Sequence, residues 1–259
     1  MIGIFDSGIG GVTIFKEILK ILPNYHYYYY SDSLNNPYGD KSRDEIYAIV
    51  KNIVEILISK GCKIIVIACN TASTQCVKKL REEFPNMTFI ATEPAYKMVH
   101  DYAIDGKTLV MATKGTIASE RFLYLYHAYD NGKTTILACP GLADLIEQGR
   151  NDLLLAYFDE HFSAFKDVDN IVLGCTHYPL LRSTIGKIMG PDVNLVNPAY
   201  ETAISLGELL TQHGIRADIN ANPTCDFYVS DAADRFESFA DSIMPFDVDE
   251  ANQINIEEY

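Results

Sequence analysis

The feature that most constrains this chain is a regular alternation. Short runs that are apolar on both faces are followed by longer stretches whose apolar residues fall at helical spacing. IGIF (2–5) reads as a strand; after DSGIGG, residues Val12, Phe15, Ile18, Leu19 and Leu22 lie at helical spacing, and Pro23 closes the segment. HYYYY (26–30) is a second strand, its tyrosines read as an aromatic-rich strand rather than a binding platform, and the polar loop SDSLNNPYGD follows. Residues 43–59 carry Ile46, Ile49, Val50, Ile53, Ile56 and Leu57 on one helical stripe. KIIVIA (63–68) is apolar on both faces, as in a parallel sheet covered by helices. A helix over 73–84, the strand TFIAT and a helix near 94–103 come next. Strands then follow at TLVMAT (108–113), TTILAC (134–139) and NIVLG (170–174), with helices near 118–130, 141–148 and 151–166 between them. This strand–helix rhythm predicts an α/β fold with doubly wound, mainly parallel sheets.

A length of 259 residues suits one large or two modest domains. No apolar run reaches the roughly 20 residues needed to cross a bilayer. MIGIFDSG has no basic region before an apolar stretch, so no signal peptide is read and a cytoplasmic protein is expected. The net charge of −14, from 35 acidic and 21 basic residues, argues against nucleic acid or an anionic membrane as the main partner. It leaves a small anionic substrate open, because local donors at a site outweigh a screened distant field. The six cysteines include no CxxC pair, so neither a disulfide framework nor a metal site is expected.

Glycine-rich DSGIGG invites a nucleotide reading, but position 13 is threonine and GxGxxG fails. Two GKT triplets (106–108 and 132–134) have Asp101 and His127 where a phosphate loop needs its upstream glycine. No nucleotide cofactor is expected. DSGIGG reads instead as a tight strand-to-helix turn whose N–H groups offer a site for a carboxylate, with Asp6 and Ser7 pointing into the same crevice. A plain glycine turn with a polar cap is the other reading.

KIIVIACNTAS (63–73) and NIVLGCTHYPL (170–180) share one design: an apolar strand, a cysteine at its carboxyl end, then a threonine-bearing polar turn into a helix. Each cysteine would feel the positive end of a helix dipole, which lowers a thiol's pKa from about 8.5. His177 stands two residues beyond Cys175 and exchanges protons near neutral pH. A cysteine–histidine hydrolase would need only one such thiol. Two from mirrored positions suit removal of a proton from one face of a carbon and delivery of another to the opposite face.

Together FDSGIGG (5–11), NPYG (36–39), IACNTAS (67–73) and GCTHYPLL (174–181) resemble the glutamate racemases of the cofactor-independent aspartate/glutamate racemase superfamily. The likeness runs from residue 2 to about residue 240 and includes FYVSD (227–231). It implies two α/β domains facing each other across an active-site cleft: residues 1–93 plus 206–259, with Cys69, and residues 94–205, with Cys175, the crossing falling near Glu93-Pro94. It implies an isomerase that interconverts L- and D-glutamate by a two-cysteine proton transfer without a cofactor. The expected setting is a bacterial cytoplasmic homodimer that supplies D-glutamate for peptidoglycan biosynthesis, and so for cell-wall biogenesis and cell shape. By resemblance, Cys69 and Cys175 are the acid/base residues, paired with Asp6 and His177 respectively. Asp6, Ser7, Tyr38, Gly39, Asn70, Thr71, Thr176 and His177 would line the substrate, with Thr113, Thr116 and Glu147 as further candidates on looser motifs. The loop reads SLNN where relatives commonly carry an arginine. The chain also starts at its first strand, without the extension of relatives that need a peptidoglycan-precursor activator. Residues 241–259 have no counterpart in the resemblance. An aspartate racemase typically has Thr-Glu after its second cysteine, against Thr176-His177 here. A non-catalytic amino-acid-binding protein on the same scaffold is the rival from another class.

Overall fold

The structure, a computed structural model, describes residues 1–93, 95–165, 167–217 and 224–244, and the backbone of 251–253. Pro94 at the expected crossing, Lys166 at the expected end of a helix, and most of the segment after residue 244 lie outside the described residues. In chain order the elements are β1 (Ile2–Asp6), α1 (Val12–Ile21), β2 (His26–Ser31), α2 (Arg43–Ser59), β3 (Ile64–Ile67), α3 (Asn70–Glu83), β4 (Thr88–Ala91) and α4 (Tyr96–Asp101). There follow β5 (Thr108–Ala112), α5 (Lys114–Ile117), α6 (Glu120–Tyr129), β6 (Thr134–Ala138), α7 (Leu142–Glu147), α8 (Asn151–Phe162), β7 (Asn170–Gly174) and α9 (Arg182–Met189). The last are β8 (Asn194–Val196), α10 (Ala199–Gln212), β9 (Thr224–Val229), α11 (Ala233–Ile243) and β10 (Ala251–Gln253).

Two sheets result, every pairing parallel. One runs β10-β9-β2-β1-β3-β4 and the other β6-β5-β7-β8. The order β2-β1-β3-β4 recurs as β6-β5-β7-β8, so the echo between the two cysteine segments belongs to a repeated topology.

Strand pleating sends alternate residues to opposite faces, and the two faces of the first sheet feed two cores. Ile2, Ile4, Tyr27, Tyr29, Ile64 and Val66 pack with α1, α10 and α11, whereas Phe5, Tyr30, Ile65 and Ile67 pack with α2 and α3. Tyrosines 27–30 are thus structural: Tyr27, Tyr29 and Tyr30 are fully buried, and Phe15 meets Tyr27 with ring centroids 5.1 Å apart. In the second sheet Leu109, Met111, Ile171 and Leu173 face α7, α8 and α9, and Val110 and Val172 face α4 and α6. Helix α2 spans the predicted stretch and begins with a capping box between Ser42 and Glu45, an arrangement worth about 1 kcal/mol. Helix α3 starts at Asn70, three residues ahead of the predicted start. Its polar first turn is satisfied locally, Ser73 Oγ donating to the Ile67 carbonyl and Thr74 Oγ1 to that of Asn70. Helix α10, which the expected division near 205 would cut, packs Ala199, Ala203, Leu206 and Leu210 into the first core as one face. Among the described residues no helix is long and apolar enough to cross a membrane.

Candidate active site

The strand ends bring the polar residues together. In the first sheet β1 ends at Asp6, β2 runs into Asp32 and β3 into Cys69; in the second, β5 runs into Thr113, β6 into Cys139 and β7 into Cys175. Open α/β sheets bind ligands outside the carboxyl ends of their strands, where the strand order reverses. Both sheets reverse at their first strand: β1 lies between β2 and β3, and β5 between β6 and β7. Cys69 and Cys175 therefore occupy equivalent places.

The two thiols, 5% and 8% exposed, line one cavity. Ser7, Tyr38, Gly39, Asn70, Thr71, Thr113 and His177 line it with them, and about 30 Å³ of space remains, room for a water or two. Asp6, Thr116, Thr176 and Glu147 stand behind that lining and are hydrogen-bonded to it or to one another. Thr71, Thr113 and Thr116 form a ring of hydroxyls across the junction of the two sheets, with oxygens 2.9, 3.1 and 3.3 Å apart. Among the described residues the buried Asn70 Oδ1 has no hydrogen-bond partner. A buried polar atom left open costs free energy, so one beside a cavity points to a ligand.

The DSGIGG turn does not reserve its amides for an incoming carboxylate. Gly8 and Gly11 N–H groups donate to Asp6 Oδ2 at 3.2 and 2.9 Å, and the Ile9 N–H donates to Glu147 Oε2 at 3.0 Å. The anion-binding turn holds two of the protein's own carboxylates. Its glycines follow from close approach: a Cβ on Gly10 would stand 2.6 Å from both His177 Nδ1 and Thr176 Oγ1, and one on Gly8 would stand 2.5 Å from Glu147 Oε2.

The surroundings of the two sulfurs differ. Cys69 is the N-cap of α3, yet the expected lowering of its pKa is absent. Burial, reinforced by the Asp6 carboxylate, pushes the thiol up to about 12 against hydrogen bonds from the Ser7 hydroxyl and the Ala72 N–H. Removing a charge from water outweighs a helix dipole's contribution. Asp6 itself accepts from Thr176 Oγ1 at 3.2 Å and acts on Cys69 through its charge. Burial raises the Asp6 pKa to about 6, against the His177 charge and the Gly11 N–H.

Cys175 is followed by a 3-10 turn, Tyr178–Leu181 with Pro179 in it, and a regular helix starts only at Arg182. Its sulfur lies 3.7 Å from Nδ1 of His177, whose Nε2 meets Glu147 Oε2 at 2.5 Å. Burial alone would lower the His177 pKa. The hydrogen bonds and charges of Cys175 and Glu147 overcome it and hold the imidazole well above its ordinary value. His177 so charged presents an N–H to each neighbour.

Sequence reasoning missed Cys139, Asp144, Asp40 and Lys114, which also line the cavity. Cys139 had a visible signal: TTILAC is another apolar strand ending in cysteine. Asp32 was missed as well, 0% exposed and bonded by Tyr38. Among the described residues no group of three His, Cys, Asp or Glu side chains is arranged to hold a metal.

Residues 9–203 match the family model described as Asp/Glu/hydantoin racemase. The chain is 36% identical over 234 residues to a glutamate racemase of Clostridium perfringens, covering 88% of this chain and 90% of that one. Its fold is similar to a glutamate racemase isoform from Bacillus anthracis, with a TM-score of 0.86, 33% identity and coverage of 98% and 97% of the two chains. It is also similar to the Francisella tularensis glutamate racemase solved in complex with D-glutamate, with a TM-score of 0.85, 30% identity and coverage of 100% and 98%.

Proposed function

The chain belongs to the Asp/Glu/hydantoin racemase family, and from that premise we propose that it is an isomerase interconverting L- and D-glutamate. One observation carries the reading: two cysteines, at equivalent strand ends of two sheets of like topology, face one cavity. A thiolate on one side of the substrate takes the α-proton, leaving its electron pair on carbon. A thiol on the other side then delivers a proton to the opposite face of that carbon. The first sulfur ends protonated and the second ends as thiolate, ready for the reverse turnover.

The resemblance to glutamate racemases supplies a direction for each sulfur: Cys175 is the base toward L-glutamate and Cys69 the base toward D-glutamate. The surroundings of the two differ, with the Cys69 pKa raised by burial and Cys175 3.7 Å from a charged His177. The carbanion is a poor one without an electron sink, so preoriented donors and exclusion of water carry much of the catalysis. Ser7, Asn70, Thr71 and Thr113 supply polar groups for the carboxylates and ammonium of the amino acid, and Tyr38-Gly39 closes the wall. His177 and Glu147 serve Cys175, and Asp6 and Thr176 tie the two sheets together behind the thiols. The enzyme uses no cofactor, metal or nucleic acid, works in the cytoplasm as a homodimer and supplies D-glutamate for peptidoglycan. Aspartate is a poor substrate, because His177 stands where its racemases carry glutamate.

Pure enzyme in heavy water tests this. L-glutamate without additives is expected to lose its circular dichroism, with solvent deuterium in the product and little in recovered substrate. Cys69→Ala and Cys175→Ala are each expected to lose at least roughly 10²–10⁴ of the rate in both directions. Transfer of the substrate's own α-hydrogen to product, or near-normal activity in either variant, would refute the two-thiol reaction. A kcat/KM for aspartate equal to that for glutamate would refute the specificity.

A further inference from the structure

Asp32 is a fully buried carboxylate that lies outside the cavity wall and has no place in the proton transfers. Its N–H donates to the Asp6 carbonyl at 2.9 Å, which fixes it where β2 ends. Three side chains converge on its oxygens. The Tyr38 hydroxyl donates at 2.5 Å, the Asn35 amide at 3.0 Å and the Ser230 hydroxyl at 3.0 Å, and Ser230 Oγ also accepts from the Leu34 N–H at 2.9 Å. Ser230 comes from the end of β9, more than a hundred residues away in sequence. One carboxylate thus joins the ends of β2 and β9 to the loop that carries Tyr38 and Gly39.

Those two residues form part of the cavity wall and reach the second sheet. Tyr38 is 2% exposed, and a Cβ on Gly39 would stand 3.0 Å from Cβ of Thr113. We propose that Asp32 is a positioning residue of the racemisation site, its carboxylate setting the Tyr38-Gly39 segment at the placement substrate binding requires. This rests on the reading of the cavity as the glutamate site. A purely structural tie would not call for a charge: burying a carboxylate costs free energy that a neutral group avoids. What the charge adds is directional, three strong charge-assisted bonds that hold a tyrosine hydroxyl in one place.

The test uses the full chain. Asp32→Asn is expected to raise KM for D-glutamate roughly tenfold, the loss of one hydrogen bond to a charged group, with kcat within about threefold of wild type. Its melting temperature is expected to fall by only a few degrees, since the amide keeps one acceptor oxygen and loses the other. Tyr38→Phe should give a similar rise, and the double variant no more than the larger single effect, because both break one interaction. A folded Asp32→Asn enzyme with KM within about twofold of wild type, or additive effects in the double variant, overturns the inference. Should Asp32→Asn not fold, Ser230→Ala removes one donor only. A KM rise of roughly threefold then supports the clamp, and an unchanged KM overturns it. Calorimetric Kd values for D-glutamate separate this inference from the one beneath it. Wild-type binding without racemisation refutes the racemase and leaves Asp32 to be judged by the same Kd ratio.

Discussion

A histidine buried to 1% exposure keeps a proton only if its partners repay the loss of water. His177 has two such partners, the Glu147 carboxylate at 2.5 Å and the Cys175 sulfur at 3.7 Å. Its raised pKa means that the pairing stabilises the fold fully below the unfolded histidine value, and that this stability is lost as pH rises through the folded value. Glu147→Gln removes one of the two partners that oppose burial and should let His177 discharge nearer neutrality. The alkaline limb of kcat/KM is expected to move down by about one pH unit or more, and the fall of stability on that side should flatten. Profiles of kcat/KM from mildly acidic to strongly alkaline pH check this, and superimposable curves for wild type and variant count against it.

At the scale of elements, the turn between β1 and α1 packs closely against the residues that follow β7. A Cβ on Gly10 meets ring, hydroxyl and backbone atoms of Thr176-His177, with no flexible side-chain tip to move aside. Gly10→Ala should therefore force the two sheets apart by a fraction of an ångström and lower kcat/KM at least roughly a hundredfold, as misplacement of reacting groups does. Gly186, inside α9, has nothing within 4 Å of an added Cβ. Gly186→Ala is expected to leave activity unchanged and add about 0.4–1 kcal/mol of stability, measured by thermal melting. Equal activities of the two variants would show that the turn is not a close-packed part of the site.

Over the whole molecule, the junction of the two sheets is narrow and tied. About 30 Å³ is left around the thiols, and the sheets are joined by the threonine hydroxyls and by Gln75 Nε2 donating to the Gly115 carbonyl at 3.0 Å. A glutamate site here is expected to open for entry and to close around the reacting carbon. A ligand that binds only this assembled form stabilises it by mass action, about 2.7 kcal/mol at a hundred times its Kd. D-glutamate at that excess should raise the melting temperature by roughly 5–10 °C, and aspartate at the same concentration by much less. Equal shifts for both amino acids, or none for D-glutamate, would count against a glutamate-shaped closure.

Much of this was legible before any coordinates. The alternation of buried strands and striped helices names a parallel α/β fold because a strand covered on both faces must be apolar throughout, as in IIVI of β3. The same strands deliver a cysteine at the end of β3 and another at the end of β7. The alternation faded after residue 180, where β8 is three residues long and partly exposed. Tertiary structure alone decided the electrostatics. Cys69 sits at a helix N-terminus, as its position predicts, yet burial and Asp6 set its pKa. Glu147 fills the glycine turn 138 residues from Ile9, and Asp32 meets Ser230 across 198 residues. Local pattern encodes which face of an element is apolar. The charge state of a buried group depends on atoms brought near it from distant parts of the chain, and no local pattern records them.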